Sequence, residues 1–156
     1  MFNPTEISEI QKLLTAEKKI VIVTHYNPDG DAIGSSLGLK HFLKAKGLDA
    51  TVIVPNDFPK FLKWMPESKQ IVIADYKRKQ AGEALYNADV IFILDFNASH
   101  RSGNLVGPWL EKAKAKKILI DHHQQPDDFH YVYSRNKRRE FSEQGYCRMS
   151  LYRNYD

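Results

Sequence analysis

Cysteine is almost absent from this chain of 156 residues, with Cys147 as its single example. One cysteine excludes an intrachain disulfide and also a zinc site built from several thiolates. Any metal ion that the chain binds must therefore be held by histidine and carboxylate side chains.

Long apolar runs are missing as well. The longest, IVIV and VIFIL, fall far short of the roughly 20 residues that a membrane-spanning helix needs. The N-terminus, MFNPTEISEI, lacks the basic and then apolar layout of a signal peptide. We therefore expect a cytoplasmic protein without a membrane partner, and the length fits one domain.

Excess positive charge is confined to the end of the chain. Residues 1–134 carry 17 Lys and Arg against 16 Asp and Glu, whereas residues 135–156 carry six against three. The nearly neutral body argues weakly against a groove that follows a long nucleic-acid strand, because such grooves are basic.

Five short runs rich in β-branched residues predict strands, at 19–24, 50–55, 70–74, 90–94 and 117–120. They are nearly continuous in apolar character, which is typical of strands covered on both faces. Helical patterns occupy the segments 3–17, 31–47, 57–65, 78–88 and 107–115. This alternation predicts an α/β fold with a mostly parallel, five-stranded, doubly wound sheet and helices on both faces.

Acidic and imidazole side chains follow three of these runs where each run ends. His25 follows the first, Asp95 the fourth, and the triplet Asp-His-His at 121–123 the fifth. In an open parallel sheet, ligands bind outside the carboxyl ends of the strands, so we expect these groups to converge. Asp75 ends the third run, but a lone aspartate there is more often a turn or cap residue.

The segment VTHYNPDGDAIGSS, residues 23–36, adds further candidate ligands after the first strand. Pro28 fixes φ and Gly30 permits a positive φ or a close backbone approach, so one turn could aim several side chains at one point. Carboxylate oxygens with some imidazole nitrogen suit a pair of divalent ions. The candidate ligands are His25, Asp29, Asp31, Asp95 and His122.

A helix that begins near Asp31 would also offer an anion site. Its free N–H groups, around Ala32 to Ser35, would face the same space as the metal ligands. The small residues there, Ser35 among them, leave room for a phosphate group.

Three blocks, THYNPDGDAIGSSLG, VIFILDFNASHRSG and ILIDHHQQPDDF, resemble in order and spacing the first three motifs of the DHH family of phosphoesterases. The resemblance covers residues 1–134 and is nearest to the branch of oligoribonucleases and phosphoadenosine-phosphate phosphatases, often described as RecJ-like or exopolyphosphatase-related. It implies a manganese-dependent phosphoesterase acting on short oligoribonucleotides or 3′-phosphoadenosine 5′-phosphate (pAp), with water attacking phosphorus at a two-metal site.

Carried over by position, the resemblance also implies a ligand set. His25 and Asp29 would bind one Mn²⁺ ion. Asp31 and His122 would bind the other, with Asp95 bridging both.

The remaining site residues implied by the resemblance concern the substrate phosphate. His123 would contact the scissile phosphate, and Asp121 would orient the metal-bound imidazoles from behind. Arg101, after the second block, and Ser35 are further candidates for phosphate contact.

Beyond residue 134 the sequence departs from the family pattern. Family members continue with a fourth motif, whose aspartate completes the second metal site, and with a smaller domain called DHHA1. Here residues 135–156 hold five Arg to one Lys, reversing the 15 Lys to two Arg of residues 1–134. We interpret residues 1–134 as an incomplete DHH domain, and residues 135–156 as an atypical basic tail consistent with a reading-frame shift.

That interpretation predicts Mn²⁺ binding at one site or more, weak activity of the chain alone, and a homodimer paired through an open sheet edge. Three other functions stay open at this point. They are a RecJ-like exonuclease of single strands, a hydrolase of polyphosphate or pyrophosphate, and an inactive metal-binding remnant.

Overall fold

The computed structural model describes residues 4–121 and, for the backbone, 132–135. Its strands are β1 (Ile20–Val23), β2 (Ala50–Val54), β3 (Val72–Ile73), β4 (Val90–Leu94), β5 (Lys116–Asp121) and β6 (Val132–Arg135). Its α-helices are α1 (Pro4–Leu13), α2 (Gly30–Ala45), α3 (Arg78–Tyr86) and α4 (Gly103–Lys112). Short 3₁₀ helices cover Lys60–Leu62, Ser68–Gln70 and Ser99–Ser102.

The six strands form one sheet in the order β3-β2-β1-β4-β5-β6, and every neighbouring pair is parallel. The predicted α/β class with a parallel sheet is thereby confirmed. The chain builds outward from β1 to β3 on one side, then returns to the centre and builds outward from β4 to β6. The strand order therefore reverses between β1 and β4, where this topology opens a crevice at the carboxyl ends of the strands.

Several element boundaries differ from the sequence prediction. The structure adds β6 to the five predicted strands, and β3 is only two residues long. Helix α1 ends at Leu13 rather than near Glu17, since a turn from Thr15 to Lys18 follows it. The segment 57–65 forms only the 3₁₀ helix Lys60–Leu62, because Pro59 precedes that helix and Pro66 follows the segment, and proline disfavours the helical conformation in the residue before it.

Apolar side chains form a core on each face of the sheet. In β1, Ile20 and Ile22 belong to the core that includes α2, whereas Val21 and Val23 belong to the core that includes α3 and α4. Helices thus cover both faces, as predicted, and this explains why the strands lack an alternating polar pattern. No helix in the described part of the chain combines the length and apolar character needed to cross a bilayer.

Two adjacent residues at the end of α3 test how much this packing stabilises the fold. Leu85 is fully buried in the second core, while the ring of Tyr86 is 78% exposed. We expect Leu85→Ala to lower the free energy of unfolding by about 2–5 kcal/mol, because it leaves a cavity. The matched variant Tyr86→Ala should change it by no more than about 0.5 kcal/mol. Urea unfolding followed by circular dichroism measures both, and equal losses in the two variants would contradict the packing described here.

Candidate metal centre at the carboxyl edge of the sheet

Three of the five predicted metal ligands come together in the crevice between β1 and β4. One ligand atom from each of His25, Asp29 and Asp95 lies within 4.8 Å of the other two. Val23 of β1 is in register with Ile93 of β4, so the residues two places further on, His25 and Asp95, leave the sheet side by side. We call these three residues the triad.

The imidazole of His25 is held in one orientation by its neighbour. Its Nδ1 lies 2.8 Å from the carbonyl oxygen of Tyr26, which can only accept, so Nδ1 carries the proton. The other nitrogen, Nε2, lies 3.7 Å from Oδ2 of Asp95. In the neutral ring Nε2 thus keeps its lone pair, and a metal-binding histidine commonly has this arrangement.

The carboxylate of Asp95 raises the pKa of His25 above its ordinary value. The interaction with the Asp95 carboxylate is the largest cause, partial burial of the ring opposes it, and the Tyr26 carbonyl adds to it. A proton on His25 would balance part of the negative charge of the triad, so the nearby carboxylate favours the charged ring.

Asp29 is fixed by the helix that it caps. Its Oδ1 accepts hydrogen bonds from the backbone N–H groups of Asp31 at 3.0 Å and Ala32 at 3.1 Å. Asp29 rather than Asp31 is thus the N-cap residue of α2.

This capping corrects one expectation about the helix N-terminus. The amide of Ala32 donates to the Asp29 carboxylate, and the amide of Ile33 donates to the Asp29 carbonyl at 3.0 Å. These two groups are therefore not open to an anion. The hydroxyl of Ser35 donates to the carbonyl of Ala32 at 3.2 Å, within the helix.

Asp95 occupies a strained position directly after β4. Its φ is +64°, in the left-handed region, which costs a residue with a side chain about 1–3 kcal/mol. The backbone is held there from both sides, because its N–H donates to Ile120 of β5 at 3.2 Å and the next residue, Phe96, is fully buried. The side chain is 9% exposed. The surrounding packing thus compensates for a conformation that turns a buried carboxylate toward His25.

The chemistry of the triad fits a divalent cation. Two carboxylates and one imidazole combine hard oxygen with nitrogen, a donor set that first-row divalent metals accept. Carboxylates gathered in a crevice repel one another unless a positive charge lies between them. A cation at this point would supply that charge.

The other predicted site residues have different positions. Asp31 is exposed and does not belong to the triad. Asp121 ends β5 and is only 3% exposed, one residue beyond the pairing of Leu94 with Ile120. Arg101 lies on the 3₁₀ helix Ser99–Ser102, where its carbonyl accepts the N–H of Tyr26 at 2.7 Å. His122 and His123 lie outside the described residues.

Sequence reasoning missed the contact that holds Tyr26 in place. Gly103, the first residue of α4, has a φ of +81°, and a Cβ there would lie 2.9 Å from Cδ2 of the Tyr26 ring. The ring therefore rests on the glycine backbone, while the Tyr26 carbonyl orients His25. Gly103 is the last residue of the block VIFILDFNASHRSG, but nothing in the sequence indicates that an aromatic ring packs on it.

The sequence model described as "DHH family, N-terminal domain" matches residues 19–146, a span that contains every residue of the triad. The chain belongs to the DHH family. This membership agrees with the fold, since the crystal structure of an exopolyphosphatase-related protein from Bacteroides fragilis superposes with a TM-score of 0.80 at 46% identity. That superposition covers 83% of this chain and 38% of the other.

Two enzymes of known name are also similar to this chain. The bifunctional oligoribonuclease and PAP phosphatase NrnA of Thermus thermophilus is 45% identical over 64 residues, which are 41% of this chain and 18% of that protein. The cyclic-di-AMP phosphodiesterase PdeA of Listeria monocytogenes is 22% identical over 125 residues, 77% of this chain and 19% of that protein. This chain thus spans less than two fifths of the length of each of these three proteins.

Substitution of Gly103 tests the support beneath Tyr26. We expect Gly103→Ala to lower the free energy of unfolding by about 1–3 kcal/mol, because alanine disfavours the positive φ and meets the ring. It should also weaken Mn²⁺ binding, since the ring and the carbonyl that orients His25 belong to one residue. Gly38→Ala is the control: nothing lies within 4 Å of its added Cβ, and alanine favours the helix by about 0.5–1 kcal/mol. Chemical denaturation measures the stability of each variant and calorimetric titration its affinity for Mn²⁺. Equal values for the two variants would contradict the contact between Gly103 and Tyr26.

The raised pKa of His25 predicts a pH dependence for metal binding. A cation must displace the proton on Nε2, so below the pKa of His25 the apparent affinity should rise about tenfold per pH unit and level off above it. Titration calorimetry with Mn²⁺ between pH 6 and 8, in two buffers of different ionisation enthalpy, counts the protons released. His25→Gln should bind more weakly and, below the pKa of His25, release about one proton fewer, while His41→Gln, at an exposed histidine on α2, should match the wild type. Equal proton release by all three proteins would exclude His25 as a ligand.

Proposed function

We propose that the chain is a manganese-dependent phosphoesterase domain that hydrolyses small nucleotide substrates, such as short oligoribonucleotides or pAp. The triad of His25, Asp29 and Asp95, at the point where the strand order reverses, is the observation that carries the proposal. The activities of NrnA and PdeA support the substrate class, since both proteins act on nucleotides.

In this proposal His25, Asp29 and Asp95 would hold one Mn²⁺ ion. Asp31 and His122, together with Asp95, would hold a second. Bound divalent ions supply charge neutralisation at the phosphoryl oxygens and make the attacking water more acidic. Water then attacks phosphorus in line with the leaving oxygen, and the phosphoester bond breaks without a covalent enzyme intermediate.

The chain's own side chains position the substrate. Arg101 and His123 bind the substrate phosphate, with Ser35 nearby on α2. Support for Arg101 comes from its place beside Tyr26 and from its guanidinium, which pairs with no carboxylate among the described residues. Asp121 acts as a positioning residue, since it is buried at the end of the strand next to Asp95.

A second substrate class is favoured by one specific observation. The Bacteroides fragilis protein, at 46% identity, is an exopolyphosphatase-related protein. Inorganic polyphosphate or pyrophosphate contains the same phosphoryl group without a base. Substrate tests on this chain must therefore include a base-free phosphoanhydride.

Loss of the Asp95 carboxylate should abolish hydrolysis. We expect Asp95→Asn to reduce phosphate release from pAp, or nucleotide release from a diribonucleotide, by at least about a hundredfold, because asparagine tolerates the positive φ but does not supply the negative charge. Asp75→Asn is the matched control, since Asp75 is an exposed carboxylate after β3 at the same sheet edge, outside the triad. Each protein is assayed with and without Mn²⁺, and with pyrophosphate in parallel.

Three outcomes would overturn the proposal. Hydrolysis that survives in Asp95→Asn would place the chemistry elsewhere. Faster turnover of pyrophosphate than of either nucleotide would favour the phosphoanhydride substrate. Mn²⁺ binding without hydrolysis of any substrate would indicate a metal-binding domain that is inactive alone.

A further inference from the structure

Two large aromatic side chains are exposed in a turn that packs against the loop between His25 and Gly30. Phe61 is 73% exposed and Trp64 is 77% exposed, and both belong to the connection between β2 and β3. We call residues 57–65 the aromatic turn. Exposure of two large rings in one short turn is costly in water, and it often marks a binding surface.

The aromatic turn is held firmly by its other residues. Phe58 and Leu62 are each only 5% exposed and anchor the turn in the first core. Backbone hydrogen bonds from Leu62 to Pro59 and from Lys63 to Lys60 close the 3₁₀ helix. The ammonium of Lys63 lies 2.9 Å from the Asp57 carboxylate. The exposed rings therefore sit on a preformed scaffold, so their binding surface needs little ordering when a ligand arrives.

The aromatic turn lies against the loop that carries two triad ligands. Cδ2 of Leu62 is 3.9 Å from the Cβ position of Gly30, the residue after Asp29. The side-chain amide of Asn56, just before the turn, exchanges two hydrogen bonds of 2.7 Å with Asn27, between His25 and Asp29. A ligand bound at the triad is therefore next to this turn.

The two rings flank a buried residue of the same turn. Phe61 and Trp64 are both largely exposed, whereas Leu62 between them is buried in the first core. Two lysines, Lys60 and Lys63, belong to the same turn. Among the described residues Lys60 has no ion-pair partner, so the turn offers an unpaired cation beside two rings.

We infer that Phe61 and Trp64 form a stacking platform for a base of the nucleotide substrate, with Lys60 attracting its phosphate. Aromatic rings beside a cation are the usual means of holding an unpaired base, because every base has a stacking face and every nucleotide a negative charge. This inference rests on the proposed function and adds to it a preference for substrates with a base over inorganic phosphoanhydrides. The cationic flank distinguishes the platform from an apolar docking surface for a second protein.

Binding of paired ligands tests the platform without any need for hydrolysis. The chain has two tryptophans, so in a Trp109→Phe background Trp64 is the only indole fluorophore. We expect adenosine 5′-monophosphate to quench its emission, whereas ribose 5-phosphate, which differs only by lacking the base, should not. Phe61→Ala should weaken the binding of adenosine 5′-monophosphate about fivefold or more, since one stacked ring is lost.

Tyr86→Ala provides the control. Tyr86 is as exposed as Trp64 but ends α3 just before β4 begins, at the opposite edge of the sheet, so this variant should bind like its parent. Circular dichroism checks that each variant is folded.

Equal quenching by both ligands, or unchanged affinity in Phe61→Ala, would overturn the platform even if hydrolysis is observed. Quenching that depends on the protein concentration rather than on the ligand concentration would indicate that a second copy of the chain covers this surface. That result would also overturn the platform. If quenching depends on the base but no hydrolysis is detected, the platform is supported and only the proposed catalytic activity is contradicted.

Discussion

The candidate site depends on the parallel pairing of β1 with β4. These two strands are neighbours in space although α2, β2, β3 and α3 separate them along the chain. Their register sets Val23 opposite Ile93, and with it the separation of His25 from Asp95. A shift of one residue would reverse which side chains face each core, so the buried residues of both faces fix this register. The geometry of the triad is thus determined by apolar packing below it rather than by attraction among its members.

The same packing explains how unfavourable local states persist in the crevice. Asp95 keeps a left-handed backbone because buried Phe96 follows it and β5 holds its N–H. Tyr26 keeps its position because Gly103 leaves space beneath the ring. Each of these residues would relax in isolation. The stable sheet and helices hold them in place, which is the usual relation between a rigid scaffold and a functional loop.

Much of this arrangement could be predicted from the sequence, because it follows from patterns that act over short distances. Apolar runs located the five strands, and the rule that parallel strands end at one edge brought His25 and Asp95 together. Other features depend on contacts that no pattern reports. That Asp29 rather than Asp31 caps α2 is decided by one side-chain oxygen and two amides. Phe58 and Phe61 belong to one apolar segment, yet only the fold buries the first and exposes the second.

The charge balance of the triad connects folding with ligand binding. In the metal-free chain, Asp95 raises the pKa of His25, so the folded state holds this proton more tightly than the unfolded state does. The resulting stabilisation is present below the pKa of histidine in the unfolded chain and is lost as the pH rises through the raised value in the folded chain. A divalent cation would take over the same electrostatic role at the higher pH, where the proton has left. The proton and the cation compete for Nε2 of His25, and the ring orientation fixed by Tyr26 suits both. The negative charge of the carboxylates is therefore balanced both below and above the pKa of His25 only when a metal ion is available. The stability of the crevice is thus linked to metal binding.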